Sequence, residues 1–194
     1  MPDKPLESAL SLPILEGIED RQALRGSALG EEIIQLFDQL RDRLLRYALS
    51  FGLPIADAED IVQEVFLSLC RHLQRGRPRD NLRAWTFRVA HNLAIKRRIQ
   101  LQSLLERTVD DAGVPEDLLR DPGPNPEDEL AASQRRLRMS AVVNALPELD
   151  RRCLILRAEG LKYREITHVL DISMGAVAIS LERSLERLAR ALRR

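Results

Sequence analysis

An all-α fold is predicted for this 194-residue chain by three features of its sequence. The helix formers Leu, Ala, Arg and Glu dominate, apolar residues recur at intervals of three and four, and no segment alternates as a strand would. With 31% charged and 4% aromatic residues, the chain suits small helical cores better than one large aromatic core. Its ten prolines and nine glycines cluster mainly at the N-terminus, around residues 76–80 and over 113–126, where helices must break.

Residues 1–30 mix prolines, acids and isolated leucines without periodicity, and are expected to form a poorly ordered or loosely docked extension. The first helix begins at "EEIIQLFDQLRDRLLRYALSFG", where Ile33, Leu36, Phe37, Leu40, Leu44, Tyr47 and Ala48 share a face, and Gly52 and Pro54 end it. A second opens at "ADAEDIVQEVFLSLCRHLQRG", with Asp57 as the expected N-cap. Ile61, Val65, Leu69 and Leu73 make one buried row, and Val62, Phe66 and Cys70 the next. Asp60, Gln63, Glu64, Leu67 and Arg71 fall on the opposite side. An apolar residue among acids there suits a docking surface, although single exposed leucines are common.

The loop "RGRPRDN" carries Arg75, Arg77 and Arg79, with Gly76 and Pro78 as breakers and Asn81 placed to cap the next helix. In "LRAWTFRVAHNLAIKRRIQ" the expected buried stripe is Leu82, Trp85, Val89 and Leu93. Arg88, His91, Asn92 and Ile95 lie on another side, followed by Lys96, Arg97 and Arg98. Residues 101–133 hold nine acids, two basic residues and four prolines, which predicts an acidic linker between two helical domains, 31–100 and 134–194.

In the C-terminal domain one helix stops near Pro147 and a second ends at Gly160. A helix-turn-helix pattern then follows in "LKYREITHVLDISMGAVAISLERSLERL". Ile166, Val169 and Leu170 point inward, Asp171 and Ile172 make the turn, and Ser173 caps. Val177, Leu181, Leu185, Leu188 and Leu192 form the expected inner stripe of the last helix.

Formal net charge is zero, but its distribution is uneven. Residues 1–30 carry three basic and five acidic side chains, 31–100 twelve and nine, and 134–194 thirteen and seven. Arg71 to Arg98 holds nine basic residues against the single acid Asp80, a density suited either to a phosphate backbone or to a solvated face. Cys70 and Cys153 sit in apolar helical patterns and read as reduced packing residues. No Cys-x-x-Cys pair, phosphate-cradling glycine loop or activated nucleophile is evident, so no cofactor, metal or catalytic residue is expected. The N-terminus lacks a signal-peptide pattern and no run of about eighteen apolar residues occurs, so a cytoplasmic location and no membrane partner are expected.

Two blocks in this order, "ADAEDIVQEVFLSLCRHL" with "NLRAWTFRVAHNLAIKRR" and "ALPELDRRCLILRAEGLKYREITHVLDISMGAV", resemble the bacterial RNA polymerase sigma factors of the small two-domain, extracytoplasmic-function type. The resemblance covers residues 31–100, like sigma region 2, and 134–190, like sigma region 4. It implies that Asp60, Gln63, Glu64 and Leu67 dock on the clamp helices of core RNA polymerase. The basic loop and Arg88, His91, Asn92, Lys96 and Arg97 would meet promoter DNA at the minus-ten element, where the family opens the duplex and captures an unstacked base. The linker would thread toward the RNA exit path, and an anti-sigma factor is a further candidate partner.

At the minus-thirty-five element, which the resemblance gives to the helix-turn-helix, Ala176, Ile179 and Ser180 are the expected contacts of the reading helix, with phosphate gripping expected from Lys162, Tyr163, Arg164, Arg183 and Arg187. Here the chain departs from its family. The first two turns of the reading helix hold Met174, Gly175, Ala176, Ala178, Ile179, Ser180 and Glu182, and Arg183 is the first cation. Alanine and isoleucine can touch thymine methyls but cannot make bidentate bonds to bases, so weak direct readout is expected. Asp171 also stands where the family usually has glycine, and Thr167 where it commonly has a small residue.

Two alternatives remain at this level. One is a polymerase-binding regulatory adaptor that has lost promoter reading, with the apolar reading helix packed on protein. The other is an ordinary helix-turn-helix repressor, which gives no reason for the α-helical docking face.

Overall fold

The computed structural model describes residues 27–108 and 139–193. Most of the predicted N-terminal extension, residues 1–26, and most of the predicted acidic linker, residues 109–133, lie outside the described residues. Six helices are described in full: α1 (Ala28–Leu49), α2 (Ile55–Gln74), α3 (Leu82–Thr108), α4 (Glu148–Ala158), α5 (Tyr163–Leu170) and α6 (Met174–Leu192). Residues 139–144 are also helical, and no strand occurs among the described residues. The all-α prediction therefore holds. The chain divides into two compact units, one of residues up to Gln102 together with His168–Asp171 and the other of the remainder, so that the first unit holds α1, α2 and most of α3 and the second α4, α6 and most of α5.

In the first unit, α1 starts three residues before the expected position because Ser27 caps it, its Oγ accepting from the Gly30 N–H at 3.1 Å. Six of the seven predicted apolar residues of α1 are buried: Ile33, Phe37, Leu40, Leu44, Tyr47 and Ala48. Helix α2 buries both predicted rows, Ile61, Val65, Leu69, Leu73 and Val62, Phe66, Cys70. Phe37 meets Phe66 edge to face with centroids 4.8 Å apart, tying α1 to α2. The helix begins two residues before Asp57, at Ile55 after Pro54, so Asp57 is not its N-cap. Its carboxylate lies inside the first turn, buried, and takes a different partner described below.

The largest correction concerns α3. Its buried residues are Leu82, Ala84, Thr86, Phe87, Ala90 and Ala94, whereas Trp85, Val89 and Leu93 are only half-buried. At 100° per residue, the centre of the buried face lies about 110° around the helix from that of the expected stripe, Leu82 being common to both, so the helix is turned by about a third of a turn from the orientation expected. Large apolar residues drew the prediction to the wrong face, while the true contact face carries alanines. Small side chains let α3 approach closely enough for Phe87 to reach Tyr47, 5.5 Å between ring centroids. The helix also continues through residues 101–108, which were expected to belong to the linker. No proline interrupts the chain between Pro78 and Pro115, and "LQSLLERT" is compatible with helix.

The α2–α3 loop is closed by a Schellman turn. Gly76 has φ +63°, its N–H bonds to the Leu73 carbonyl at 3.0 Å, and the Arg77 N–H reaches the His72 carbonyl at 3.3 Å. Asn81 does not take the extended conformation usual for an N-cap; its φ is +56°, and its carbonyl accepts from the Trp85 N–H at 3.0 Å.

Among the C-terminal helices the buried residues include Cys153 and Leu156 of α4, Leu161, Ile166 and Val169 of α5 and its approach, and Val177 and Leu181 of α6. Glu165 accepts from the Lys162 N–H at 2.6 Å, the reach-back half of a capping box that starts α5. Ser173 caps α6 as predicted, its Oγ accepting from the Ala176 N–H at 3.2 Å. Leu185 does not join the inner stripe and is 57% exposed. It sits about 80° around the helix from Val177, whereas Ser180 and Ser184 share the inner face and are buried. Ser184 Oγ satisfies itself within that face by donating to the Ser180 carbonyl at 2.8 Å.

Between α5 and α6 the chain makes a second Schellman turn, the Ile172 N–H reaching the Thr167 carbonyl at 3.3 Å with Asp171 at φ +55°. An aspartate tolerates this left-handed conformation but retains a Cβ clash that glycine lacks. Asp171→Gly is expected to stabilise the second unit by about 0.5–1 kcal/mol. Chemical unfolding monitored by circular dichroism checks this, and an unchanged or lower midpoint would count against strain at the turn.

Candidate functional site

The face of α2 opposite its core brings Asp60, Gln63, Glu64 and Leu67 together along one side. Asp60 is exposed and the other three are half-buried. Their spacing of three and four places them in a continuous row. Glu64 is loosely engaged within its own helix, accepting from Ser68 Oγ at 3.4 Å and lying 3.6 Å from the Arg71 guanidinium. Such an exposed pair holds its side chains weakly, so the carboxylate can turn to another partner at little cost.

Next to this row runs an open groove lined on the α2 side by Asp57, Asp60, Ile61 and Glu64, and on the α3 side by Leu93, Lys96, Arg97 and Gln100. One wall is acidic and the other basic. Asp57 and Arg97 close its floor with an ion pair that joins α2 to α3. The hydrogen bond that Arg97 donates to Asp57, reinforced by the carboxylate's charge, raises the affinity of the guanidinium for its proton. Arg97, expected to face DNA, is thus committed at least in part to holding the two helices in register.

Arg88, Asn92 and Lys96 are exposed on α3, with Ile95 and Ile99 also exposed beside them at 39% and 59%. His91 is different from its predicted neighbours. Its Nδ1 lies 2.8 Å from the Tyr47 hydroxyl, and its ring packs against Phe51 at 5.7 Å, so it serves the junction of α1 and α3. The rotation of α3 by about a third of a turn explains this: His91 falls on the flank of the Phe87–Ala94 contact face, while Arg88 and Asn92 remain outside.

Arg75, Arg77 and Arg79 are exposed on the α2–α3 loop. Arg79 also reaches α1, its Nη1 2.8 Å from Glu32 Oε2. Sequence reading passed over His72, whose ring is 4.7 Å from that of Trp85 and whose Nε2 is 2.9 Å from the Pro78 carbonyl oxygen. A lone histidine six residues from a proline carries no pattern by which the contact could be recognised.

In the second unit Lys162, Tyr163 and Arg164 are exposed at the start of α5, and the Arg157 guanidinium lies 5.8 Å from the centroid of the Tyr163 ring. On α6, Ile179 is 55% exposed and Ala176 half-buried. Ser180, expected at the DNA surface, is 1% exposed and lies in the core, out of reach of a base. Arg183 is drawn back to α4, where its Nη2 donates to Asp150 Oδ1 at 2.8 Å. Asp150 is itself buried, and its Oδ2 makes no hydrogen bond. The exposed start of α6 therefore presents Met174, Gly175, Ala178 and Ile179, an apolar surface whose first cation is occupied with an internal acid.

Both cysteines are buried, and burial pushes the Cys70 thiol up to about 11 and raises that of Cys153. Neither thiol is poised as a nucleophile. Among the described residues no group of three or more His, Cys, Asp or Glu is placed to hold a metal ion, and no helix is long and apolar enough to cross a membrane.

Comparison with known proteins places these surfaces in a family. Residues 36–103 match the Sigma-70 region 2 model, and residues 136–188 match the model of Sigma-70, region 4. The chain is 30% identical over 162 residues to the ECF RNA polymerase sigma factor SigE of Mycolicibacterium smegmatis, a match covering 79% of this chain and 59% of that relative. It is 31% identical over 157 residues to the RNA polymerase sigma factor CnrH of Cupriavidus metallidurans, covering 77% and 80% of the two chains. The solved structure of CnrH in complex with the cytosolic domain of CnrY aligns with a TM-score of 0.55 at 26% identity, over 88% of this chain and 92% of that one. RpoE in complex with the anti-sigma factor NepR from Bartonella quintana shares the fold, with a TM-score of 0.62 at 18% identity over 82% and 94%. The chain belongs to the bacterial RNA polymerase sigma factors, of the small two-domain extracytoplasmic-function type, non-catalytic proteins that bind core polymerase and direct the initiation of transcription at promoters.

Proposed function

We propose that the two units share this work unequally, the first both docking on core RNA polymerase and opening promoter DNA, the second acting as a weak or shape-based reader. The observation that carries the proposal is the arrangement on α2 and α3: an acidic and amide row with one leucine on α2, and Arg88, Asn92 and Lys96 exposed on α3. Carboxylates and an amide offer directional acceptors to basic residues of the polymerase clamp helices, and Leu67 adds desolvated apolar area.

The exposed cations of α3 and of the loop at Arg75, Arg77 and Arg79 are suited to the phosphates of a separated strand. Unpairing costs a few kcal/mol per step, which such contacts and a pocket for an unstacked base offset. Arg88→Ala with Lys96→Ala is expected to reduce promoter opening about tenfold or more, each cation supplying on the order of 1 kcal/mol, with core binding unchanged. Permanganate reactivity of the opened strand, measured beside affinity for core enzyme, checks this. Normal reactivity would remove α3 from the opening surface.

In the second unit we assign phosphate gripping to Lys162, Tyr163 and Arg164, which set position more than sequence. Ala176 and Ile179 can contribute apolar contact to thymine methyls. The acidic segment through residue 133 is assigned the path toward RNA exit, with a cytoplasmic location for the whole. An anti-sigma factor is proposed as a further partner, since a protein of the same fold is held by one.

A second reading, a polymerase-binding adaptor without promoter reading, is favoured by one observation. The exposed start of α6 is apolar, and Arg183 is paired with Asp150. Run-off transcription with purified core enzyme separates the two. An adaptor binds core and yields no promoter-dependent transcript, whereas the proposed initiator yields transcripts from a defined subset of promoters.

A further inference from the structure

Three arginines on a seven-residue loop can meet a DNA strand in one register only if the loop is ordered beforehand, because ordering it on binding would consume much of the contact free energy. The loop Arg75–Asn81 is anchored at its start by the Gly76 Schellman turn and at its end by the Trp85 N–H bonding to the Asn81 carbonyl. Between these ends, Pro78 has no N–H with which to pair. Its carbonyl oxygen is instead 2.9 Å from His72 Nε2, a nitrogen that must carry the ring proton to donate. The same imidazole lies against Trp85 on the first turn of α3, with centroids 4.7 Å apart and planes inclined by 41°. His72 thus touches all three elements that meet here: it belongs to α2, bonds the middle of the loop and packs on α3.

We infer that His72 is a positioning residue for promoter opening, fixing the carbonyl of Pro78 and so the directions in which Arg77 and Arg79, on either side of it, leave the backbone. The inference rests on the assignment of this loop to promoter DNA made above. The geometry separates two parts of the histidine's role. The ring packs on Trp85, which any flat aromatic can do; the hydrogen bond requires a donor at the position of Nε2. The Arg79–Glu32 ion pair holds a side chain and leaves the Pro78 peptide free to turn, so it does not substitute for that bond.

Two variants divide these parts. His72→Phe keeps a ring against Trp85 and removes the donor; His72→Gln restores an N–H at similar reach and removes the ring. Limited trypsin digestion, with cleavage after Arg75 and Arg79 followed by mass spectrometry, reads loop order without any DNA. Permanganate reactivity with core enzyme reads opening. For His72→Phe, faster cleavage at these two sites and roughly fivefold less opening are expected, the effect of losing one hydrogen bond. Affinity for core should be unchanged and the melting temperature should fall by no more than about 5 °C, and His72→Gln should restore both loop protection and opening.

Wild-type cleavage or wild-type opening in His72→Phe overturns the positioning role, as does His72→Gln behaving like His72→Phe. Arg77→Ala with Arg79→Ala keeps the two possible failures apart. If this double variant opens promoters normally, the assignment of the loop to DNA fails, and the positioning role falls with it. If it is impaired while His72→Phe is normal in both assays, only the role of His72 is lost.

Discussion

Arg183→Ala is expected to destabilise the second unit by about 2–3 kcal/mol, much more than loss of an exposed surface arginine would. The reason lies in its partner. Asp150 is 1% exposed, and one of its oxygens already lacks a hydrogen bond. Removing the guanidinium leaves a buried carboxylate without its counter-charge, and the neighbouring Ser184 hydroxyl is directed to backbone carbonyls at 2.8 and 3.4 Å. The guanidinium is half in solvent, so water will recover part of the loss and the upper end of the range for a broken buried pair should not be reached. For a domain of this size, 2 kcal/mol corresponds to a fall in melting temperature of roughly 10 °C. Thermal unfolding of the variant by circular dichroism checks the result, with hydrogen exchange of α4 and α6 to localise it. An unaltered melting temperature would mean that the pair with Asp150 does not hold the side chain, and would return Arg183 to the DNA surface.

Gln63→Ala with Glu64→Ala is expected to weaken binding to core polymerase by about 30- to 100-fold, on the order of 2–3 kcal/mol for two central polar contacts. Both side chains stand outside the α1–α2 core, and Glu64 is held only loosely within α2, by Ser68 at 3.4 Å and Arg71 at 3.6 Å. The circular dichroism spectrum and melting temperature should accordingly stay near wild type. Alanine is also a good helix former, so the substitution does not disturb α2. Titration of labelled core enzyme measures the affinity. Unchanged binding would remove the docking role from this face of α2 and leave the first unit without an assigned polymerase contact.

These expectations draw on different layers of information. The outer row of Asp60, Gln63, Glu64 and Leu67 could be read from spacing alone, because i, i+3, i+4 and i+7 positions share a face in any helix, whatever surrounds it. Helix α2 was also legible in depth, both of its buried rows being continuous series of large apolar residues. The ends of α2, α5 and α6 followed from Gly76, Asp171 and Ser173, whose conformational preferences act within a few residues.

The face of α3 was not legible in this way. Burial there was decided by how near the helix could come to Tyr47, and three alanines and Phe87 outweighed Trp85, Val89 and Leu93. With the helix turned, His91 left the outer surface, and Trp85 became the packing partner of His72. Leu185 was misplaced for the same reason: counting leucines ignores that buried serines can occupy the inner face when their hydroxyls bond back to the helix.

What the sequence by itself determined is therefore local or compositional: an all-helical chain, the positions of its turns, the family to which its motifs belong and the row of Asp60, Gln63, Glu64 and Leu67. What only the tertiary structure decided is which charges remain available. Arg97 answers Asp57 across 40 residues and Arg183 answers Asp150 across 33. Helical periodicity relates residues within a turn or two, whereas an ion pair between helices depends on how their axes are packed, and that information is carried by the whole core.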